Sequence, residues 1–195
     1  MSLRIVTLTG DALQAALPEL ARLRIAVFRE WPYLYDGDAD YEARYVRAYA
    51  DSRDALIVGA FAGERLVGAA TAAPMEDHAA AFAAPFQARG WDLSDILYCG
   101  ESVLLPEWRG QGAGHAFFDA REAHGRALGR RLSCFCAVVR DEADPRRPAG
   151  YMPLDRFWRR RGYEPLPGVT VSYGWRDLGA EDESQHPMRV WVRPL

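Results

Sequence analysis

Tyr98-Cys99-Gly100-Glu101-Ser102-Val103-Leu104-Leu105-Pro106-Glu107-Trp108-Arg109-Gly110-Gln111-Gly112-Ala113-Gly114 runs from an apolar, strand-like segment through a prolyl turn into a loop with three alternating glycines. A helical pattern follows: Ala116, Phe117, Ala120, Ala123, Ala127 and Leu128 fall on one stripe, and Asp119, Glu122, Arg126 and Arg130 on the other. The order is strand, loop, helix, with the helix starting near Gly112. A helix that begins in a glycine-rich loop offers unpaired backbone N–H groups and the positive end of its dipole, with no side chains to keep an anion away. Such a place suits a pyrophosphate. Arg109, just before the loop, could add a charge-assisted contact to the anion or hold the loop by pairing with a carboxylate.

Taken alone, Gly110-Gln111-Gly112-Ala113-Gly114 reads equally well as a plain turn and as a phosphate cradle. A dinucleotide fingerprint needs G-x-G-x-x-G and an acidic residue about 20 positions on, closing a second strand. Here the third glycine comes one place early. The next strand-like run, Leu132 to Val139, is followed by Asp141 and Glu142, too late for that role.

In its wider context, Leu104 to Gly114 resembles motif A of the GNAT superfamily of acyl-CoA-dependent N-acyltransferases, written Arg/Gln-x-x-Gly-x-Gly/Ala after a strand and a proline. Arg109 takes the first position, Gly112 the first glycine and Gly114 the last. The resemblance extends along nearly the whole chain. It implies a mixed α/β fold, its central sheet mostly antiparallel with one splayed parallel pair and flanked by helices, over residues 1–195 as a single domain.

Composition sets wider bounds. The 195 residues, 49% hydrophobic and 26% charged, match an ordinary globular domain with a substantial core. A formal net charge of -3 and a pI near 5.8 give no broad attraction to nucleic acid or anionic membranes. Cys99, Cys134 and Cys136 lie in apolar runs and read as buried reduced thiols, with no second pair to complete a zinc set, so no metal is expected. No leader pattern and no apolar run long enough to span a bilayer is seen, and a cytoplasmic location is expected.

Along the chain, Leu3 to Leu8 reads as a first strand. Leu13, Leu17, Leu20, Leu23 and Val27 give a helix, with Asp11 as a candidate cap and Pro18 expected to break it in two. Pro32 to Asp40 is loop-like, and Tyr41, Tyr45, Ala48 and Tyr49 mark a second helix whose tyrosine stripe fits a core better than a ligand wall. Ala55 to Phe61 and Arg65 to Ala73 form a hairpin, and a short helix follows, stopped by Pro85, with His78 expected at the surface. Ile96 to Leu105 is expected to be one central strand, with Leu132 to Val139 its parallel neighbour after a right-handed crossover. A short helix from Leu154 to Arg161 precedes two half-exposed antiparallel strands, Val169 to Trp175 and Met188 to Arg193, joined by an acidic loop. Those strands offer edges through which a homodimer could form.

Acyl transfer from a thioester to an amine needs a held thioester, a deprotonated nucleophile, donors for the oxyanion and a proton for the thiolate. The resemblance assigns the acetyl-CoA pyrophosphate to Gly110, Gln111, Gly112, Ala113 and Gly114 with Arg109, and the pantetheine arm and acetyl carbonyl to Leu104 and Leu105. Glu101 stands where several GNAT enzymes carry their general base; its other reading is a partner for an arginine such as Arg109 or Arg140. At the family's usual tyrosine position, four before Gly162, this chain has Trp158, whose indole is no useful acid. Tyr151 is the nearest substitute, with Tyr163 and Ser102 behind it. The loop between the first two helices would wall the acceptor site, where Asp36, Asp38 and Asp40 either favour a cationic amine or are simply solvated. The expected function is acetyl transfer from acetyl-CoA to a small-molecule or peptide amine. Its rivals are a non-catalytic acyl-CoA-binding domain and an enzyme using another pyrophosphate cofactor.

Overall fold

Several of the expected strands are apolar on both sides, and only a sheet covered on both faces can accommodate them. In the computed structural model, which describes residues 2–78 and 80–195, the strands are β1 (Arg4–Leu8), β2 (Leu56–Ala62), β3 (Arg65–Pro74), β4 (Ile96–Tyr98), β5 (Ser102–Leu104), β6 (Leu132–Val138), β7 (Glu164–Trp175) and β8 (Ser184–Pro194). They form one sheet in the order β1-β2-β3-β4-β6-β8-β7, with β5 also paired to β3. Every pairing is antiparallel except β4 with β6, where Ile96 lies opposite Leu132 and Tyr98 opposite Cys134. This is the expected mixed α/β class.

Side-chain alternation assigns the two faces. On one, Ile57, Val67, Ala69 and Val103 pack against α1 (Gly10–Phe28) and α2 (Ala39–Asp51), and Ile96, Tyr98, Cys134 and Cys136 pack against Phe82 and Phe86 of α3 (Ala80–Gln87). On the other, Leu56, Val58 and Ala70 meet Ala113 and Phe117 of α4 (Ala113–Ala127). There too, Leu97, Phe135 and Trp191 pack against Phe118 of α4 and against Phe157 and Trp158 of α5 (Asp155–Arg160). All three cysteines are buried free thiols.

Five expectations about the elements are corrected. α1 is continuous through Pro18, because the carbonyl left without a partner by the missing N–H belongs to exposed Gln14 and reaches water. Asp11 sits in its first turn without capping, the residue before the helix being Thr9. Pro85 lies inside α3 rather than ending it. The buried stripe of α4 is Ala113, Phe117, Phe118, Arg121, Glu122 and Gly125, while Ala123 and Ala127 are exposed. Periodicity treats charges as solvated, whereas Arg121 and Glu122 are partnered inside the protein: Arg121 donates to the main-chain oxygen of Glu101 at 3.1 Å, and Glu122 pairs with Arg193 at 2.8 Å and Arg161 at 3.1 Å.

The remaining correction matters most. Ile96 to Leu105 is two strands, both on β3, with Tyr98 opposite Ala73 and Ser102 opposite Ala70. Thr71 and Ala72 thus face Cys99, Gly100 and Glu101, which is a β-bulge. Gly100 N–H donates to Thr71 O at 3.2 Å and Thr71 N–H to Glu101 O at 3.1 Å, carrying the pairing around the extra residue. A Cβ on Gly100 would lie 2.1 Å from the Tyr49 hydroxyl and 2.8 Å from Thr71 Oγ1. Both of those side chains are tied to Glu101 and cannot move aside freely. Gly100→Ala is therefore expected to cost about 1–3 kcal/mol as an overpacking change, read as a lower urea midpoint at unchanged m-value.

Candidate active site

The anion cradle is present in the backbone. A single turn from Pro106 to Trp108 leads to Arg109; Gly110 and Gly112 then adopt φ of +78° and +85°, and α4 begins at Ala113. Those two positions need glycine, since the left-handed region is strained for other residues. The amides of residues 110 to 114 make no main-chain hydrogen bond, and His115 N–H is the first to turn back, to Gly112 O at 3.0 Å. Nothing lies within 4 Å of a Cβ placed on Gly110 or Gly112, and only Phe157 Cζ, at 3.6 Å, near one on Gly114. Five amides without main-chain partners among the described residues, on a segment exposed at residues 110 to 112 and leading into a helix start, fit a diphosphate. Of the two roles read for Arg109, the structure shows the loop-holding one: Nη2 pairs with Glu30 at 2.8 Å and Nε donates to Leu104 O at 3.1 Å.

A gap leads away from this loop. The β4–β6 pairing reaches as far as Cys99 N–H donating to Cys134 O at 2.8 Å. Beyond it β5 continues only with β3, and β6 only with β8. Leu105 N–H is committed to Val67 O at 3.0 Å, and Glu101 O to Thr71 N–H. By antiparallel alternation, residues 101, 103 and 105 bond to β3 while the amides of Ser102 and Leu104 point into the gap. Leu104 thus keeps the N–H expected of it; the Leu105 amide is spent in the sheet.

At the bulge the gap meets a cavity of about 70 Å³ on the α1, α2 and α3 face. Gly100 and Glu101 line it from one side of the gap and Cys136 from the other, and nine aromatic side chains complete the wall, among them Tyr33, Tyr45, Tyr98 and Trp175. The tyrosine stripe of α2 divides its duties: Tyr49 is buried core, while Tyr41 and Tyr45 are cavity wall. Leu34, in the loop before α2, has a φ of +54°, and its neighbours Tyr33 and Tyr35 both line the cavity. Glu101, 2% exposed, takes the arginine-partner role, and the partner is neither Arg109 nor Arg140. Arg24 of α1 bridges Glu101 and the fully buried Glu42 of α2. The hydroxyls of Tyr49, at 2.8 Å, and Thr71 donate to the second oxygen of Glu101. Burial opposes the charged form of Glu101, but the Arg24 guanidinium and those two hydroxyls outweigh it and hold the carboxyl below its usual range.

Arg24 and Glu42 were missed in the sequence although a signal existed. Arg24 interrupts the apolar stripe of Leu13, Leu17, Leu20 and Val27, and Glu42 shares a stripe with Val46 and Tyr49. A charged residue on a buried stripe needs a buried partner.

Outside the cavity, and sharing Tyr35, Tyr41 and Trp175 with it, lies a trough of about 450 Å³. Asp36 and Asp38 line it and Asp40 does not. Asp36 is paired with Arg176 at 2.9 Å, and Asp38 caps α2 by accepting from Tyr41 N–H at 2.7 Å. Glu181, Asp182 and Glu183, from the connection between β7 and β8, supply the other carboxylates of the trough.

The acid candidates do not converge. Trp158 packs on Phe135 and Trp191 on the far face, at ring separations of 5.0 and 5.1 Å. Tyr151 lies edge-on to Trp31 at 6.1 Å and does not line the cavity. Tyr163 is buried with its hydroxyl 2.8 Å from Ser133 Oγ, and Ser102 is exposed. His78, expected at the surface, is instead packed against Tyr98 at 4.5 Å and Tyr49 at 5.6 Å, where burial lowers its pKa. Burial also pushes the Cys136 thiol up to about 12. Among the described residues, no group of three or more His, Cys, Asp or Glu side chains is placed to hold a metal ion, and no helix is long and apolar enough to cross a membrane.

No family model matches the sequence, and no curated protein sequence matches it. Solved structures do match in fold. A protein described as an acetyltransferase of the GNAT family, from Desulfovibrio desulfuricans, superposes with a TM-score of 0.60 at 14% identity, covering 99% of both chains. A ribosomal-protein-alanine N-acetyltransferase from Brucella melitensis gives 0.63 at 13% identity, over 98% of this chain and 99% of that one. An acetyltransferase-like protein from Salmonella typhimurium, solved with its cofactor acetyl-CoA, gives 0.60 at 11% identity over 98% and 94%. The chain has the GNAT acyltransferase fold.

Removing Arg24 would leave two buried carboxylates uncompensated, so Arg24→Met is expected to cost about 3–5 kcal/mol. Glu30→Gln, which breaks a half-exposed pair, is expected to cost under about 1 kcal/mol; urea unfolding of both variants checks the contrast. Because Glu101 is held low in the folded state, its stabilising contribution is complete above the unfolded carboxyl range. It is lost as pH falls through the folded value, so acid unfolding of the wild type should draw on this group only below about pH 4.5.

Proposed function

We propose that the chain, residues 1–195 acting as one unit, transfers an acetyl group from acetyl-CoA to the primary amine of a small molecule or peptide by direct attack. The observation that carries this reading is the continuity of three features: five free amides at residues 110 to 114, a gap flanked by the unpaired Leu104 N–H, and a cavity at the end of that gap. Bound there, acetyl-CoA supplies an activated acyl group and a thiolate leaving group. Gly110 to Gly114 hold the diphosphate, Leu104 N–H is aimed at the acetyl oxygen, and buried Leu105 walls the pantetheine arm.

Glu101 takes a different role from the one expected of it. An alkylammonium near pKa 10 and a carboxyl held below its usual range differ by about 6 units or more, so proton transfer between them costs roughly 8 kcal/mol. The carboxylate instead attracts and orients the acceptor, and the reacting species is the neutral amine, formed when the ammonium loses its proton to hydroxide or buffer before attack. The direct route also fits Cys136, whose suppressed ionisation makes it a poor acyl carrier. With Trp158 and Tyr151 both away from the cavity, the thiolate departs to water. That neither of these expected acid positions lines the cavity favours, as a second reading, an acyl-CoA-binding domain without turnover.

Calorimetry with acetyl-CoA, NAD and ATP tests the cradle. Acetyl-CoA alone should bind, and Gly112→Ala, forced to φ near +85°, should weaken it tenfold or more; equal binding of NAD or ATP contradicts the assignment. Thiol release with a panel of amines separates the enzyme from the silent binder. For the active enzyme, kcat/KM should rise with pH along the acceptor's own ionisation, and folded Glu101→Gln should lower it without moving the midpoint. A limb centred between about pH 5 and 7 that vanishes in Glu101→Gln would restore this residue as the base.

A further inference from the structure

The cavity and the trough are neighbours, and their contrast says what kind of amine fits. The inner space of about 70 Å³ has room for about five or six water-sized centres at roughly 10–15 Å³ each, enough for an unbranched aminoalkyl end and too small for a bulky acceptor. Its walls are mainly aromatic rings, which take methylenes on their faces and an ammonium by cation–π attraction. Its one carboxylate, Glu101, stands at the bulge paired with Arg24, which also lines the space, and Arg24 is in turn shared with the carboxylate of Glu42. Tyr35, Tyr41 and Trp175 line both spaces, so cavity and trough lie on either side of the same three residues. In the trough, five carboxylates stand against two guanidiniums, those of Arg44 and Arg176. Asp36 is matched by Arg176, and Asp38 is occupied at the start of α2. Glu181, Asp182 and Glu183 make no ion pair among the described residues.

We infer that the acceptor is a linear diamine or polyamine, its reacting amine in the aromatic cavity beside Glu101 and its second ammonium in the trough against the carboxylates of residues 181 to 183. This rests on the acyl-transfer reading for which end reacts, while recognition of two cations at this spacing can be measured without it.

The test is calorimetry on the cofactor-free protein with 1,4-diaminobutane, butylamine and a lysine-containing tripeptide, in the wild type and in the triple variant Glu181→Gln, Asp182→Asn, Glu183→Gln. All three substitutions lie on an exposed connection. The wild type should bind the diamine about tenfold more tightly than butylamine. That advantage should shrink below about threefold in the triple variant and at 0.5 M salt, with butylamine affinity unchanged. Equal affinities for the two amines, an advantage that survives in the triple variant, or tighter binding of the tripeptide overturns the inference. Acetyl-CoA titrated into the same samples separates the two proposals: lost diamine preference with intact acetyl-CoA binding removes only this inference, and the converse removes only the acyl-transfer reading.

Discussion

The architecture depends on a bulge that is clamped from both faces of the sheet. On one face the side chain of Glu101 is held by Arg24, Tyr49 and Thr71. On the other, Arg121, 1% exposed, reaches up from α4 to the main-chain oxygen of Glu101 at 3.1 Å and of Thr71 at 3.5 Å. Two guanidiniums and two carboxylates, counting Glu42, are thereby buried around one extra residue. Arg24 is paired with both Glu101 and Glu42, and removing one of the three leaves the rest uncompensated. Arg121 is held by main-chain oxygens alone, its Nε and Nη2 having no partner among the described residues. The arrangement therefore resists relaxation into a regular ladder.

From that clamp the rest follows. A bulged strand bends and twists more than its neighbours, so the chain after Gly100 stays with β3 while β6 stays with β8. The parallel pair ends, and the amides of Ser102 and Leu104 are left without strand partners. This unpaired stretch of chain lies between the aromatic cavity, lined by Gly100 and Glu101, and the glycine loop that follows it in sequence. Arg109 spans the two sides, holding Leu104 O while pairing with Glu30 at the end of α1.

Much of this was legible in the sequence wherever one segment decides its own structure. The alternating glycines with Arg109 marked the loop and the start of α4, the doubly apolar run Leu132 to Val139 marked a buried parallel strand, and alternation marked β7 and β8. The bulge was not legible, because a one-residue change of register is set by Arg24, Tyr49 and Arg121, three side chains on three separate helices. The buried face of α4 was misjudged for a related reason: Arg121 and Glu122 look solvated until their partners in β3, β8 and the turn after α5 are known. The acceptor side was half visible. Asp36, Asp38 and Asp40 stood out as an acidic loop, but the trough carboxylates without an ion pair among the described residues are those at 181 to 183, brought beside Asp36 and Asp38 by the β7–β8 hairpin. Trp158 was read from its indole as no useful acid, and the structure places it on the far face, packed on Phe135 and Trp191.

The most direct measurement is amide hydrogen exchange, residue by residue, along Ser102 to Leu105 with and without acetyl-CoA. In the free protein the amides of Ser102 and Leu104 should exchange quickly while those of Val103 and Leu105 are protected, and acetyl-CoA should slow Leu104 and leave Leu105 unchanged. Uniform protection of all four before acetyl-CoA is added would mean that the strands are closed, and would contradict the account.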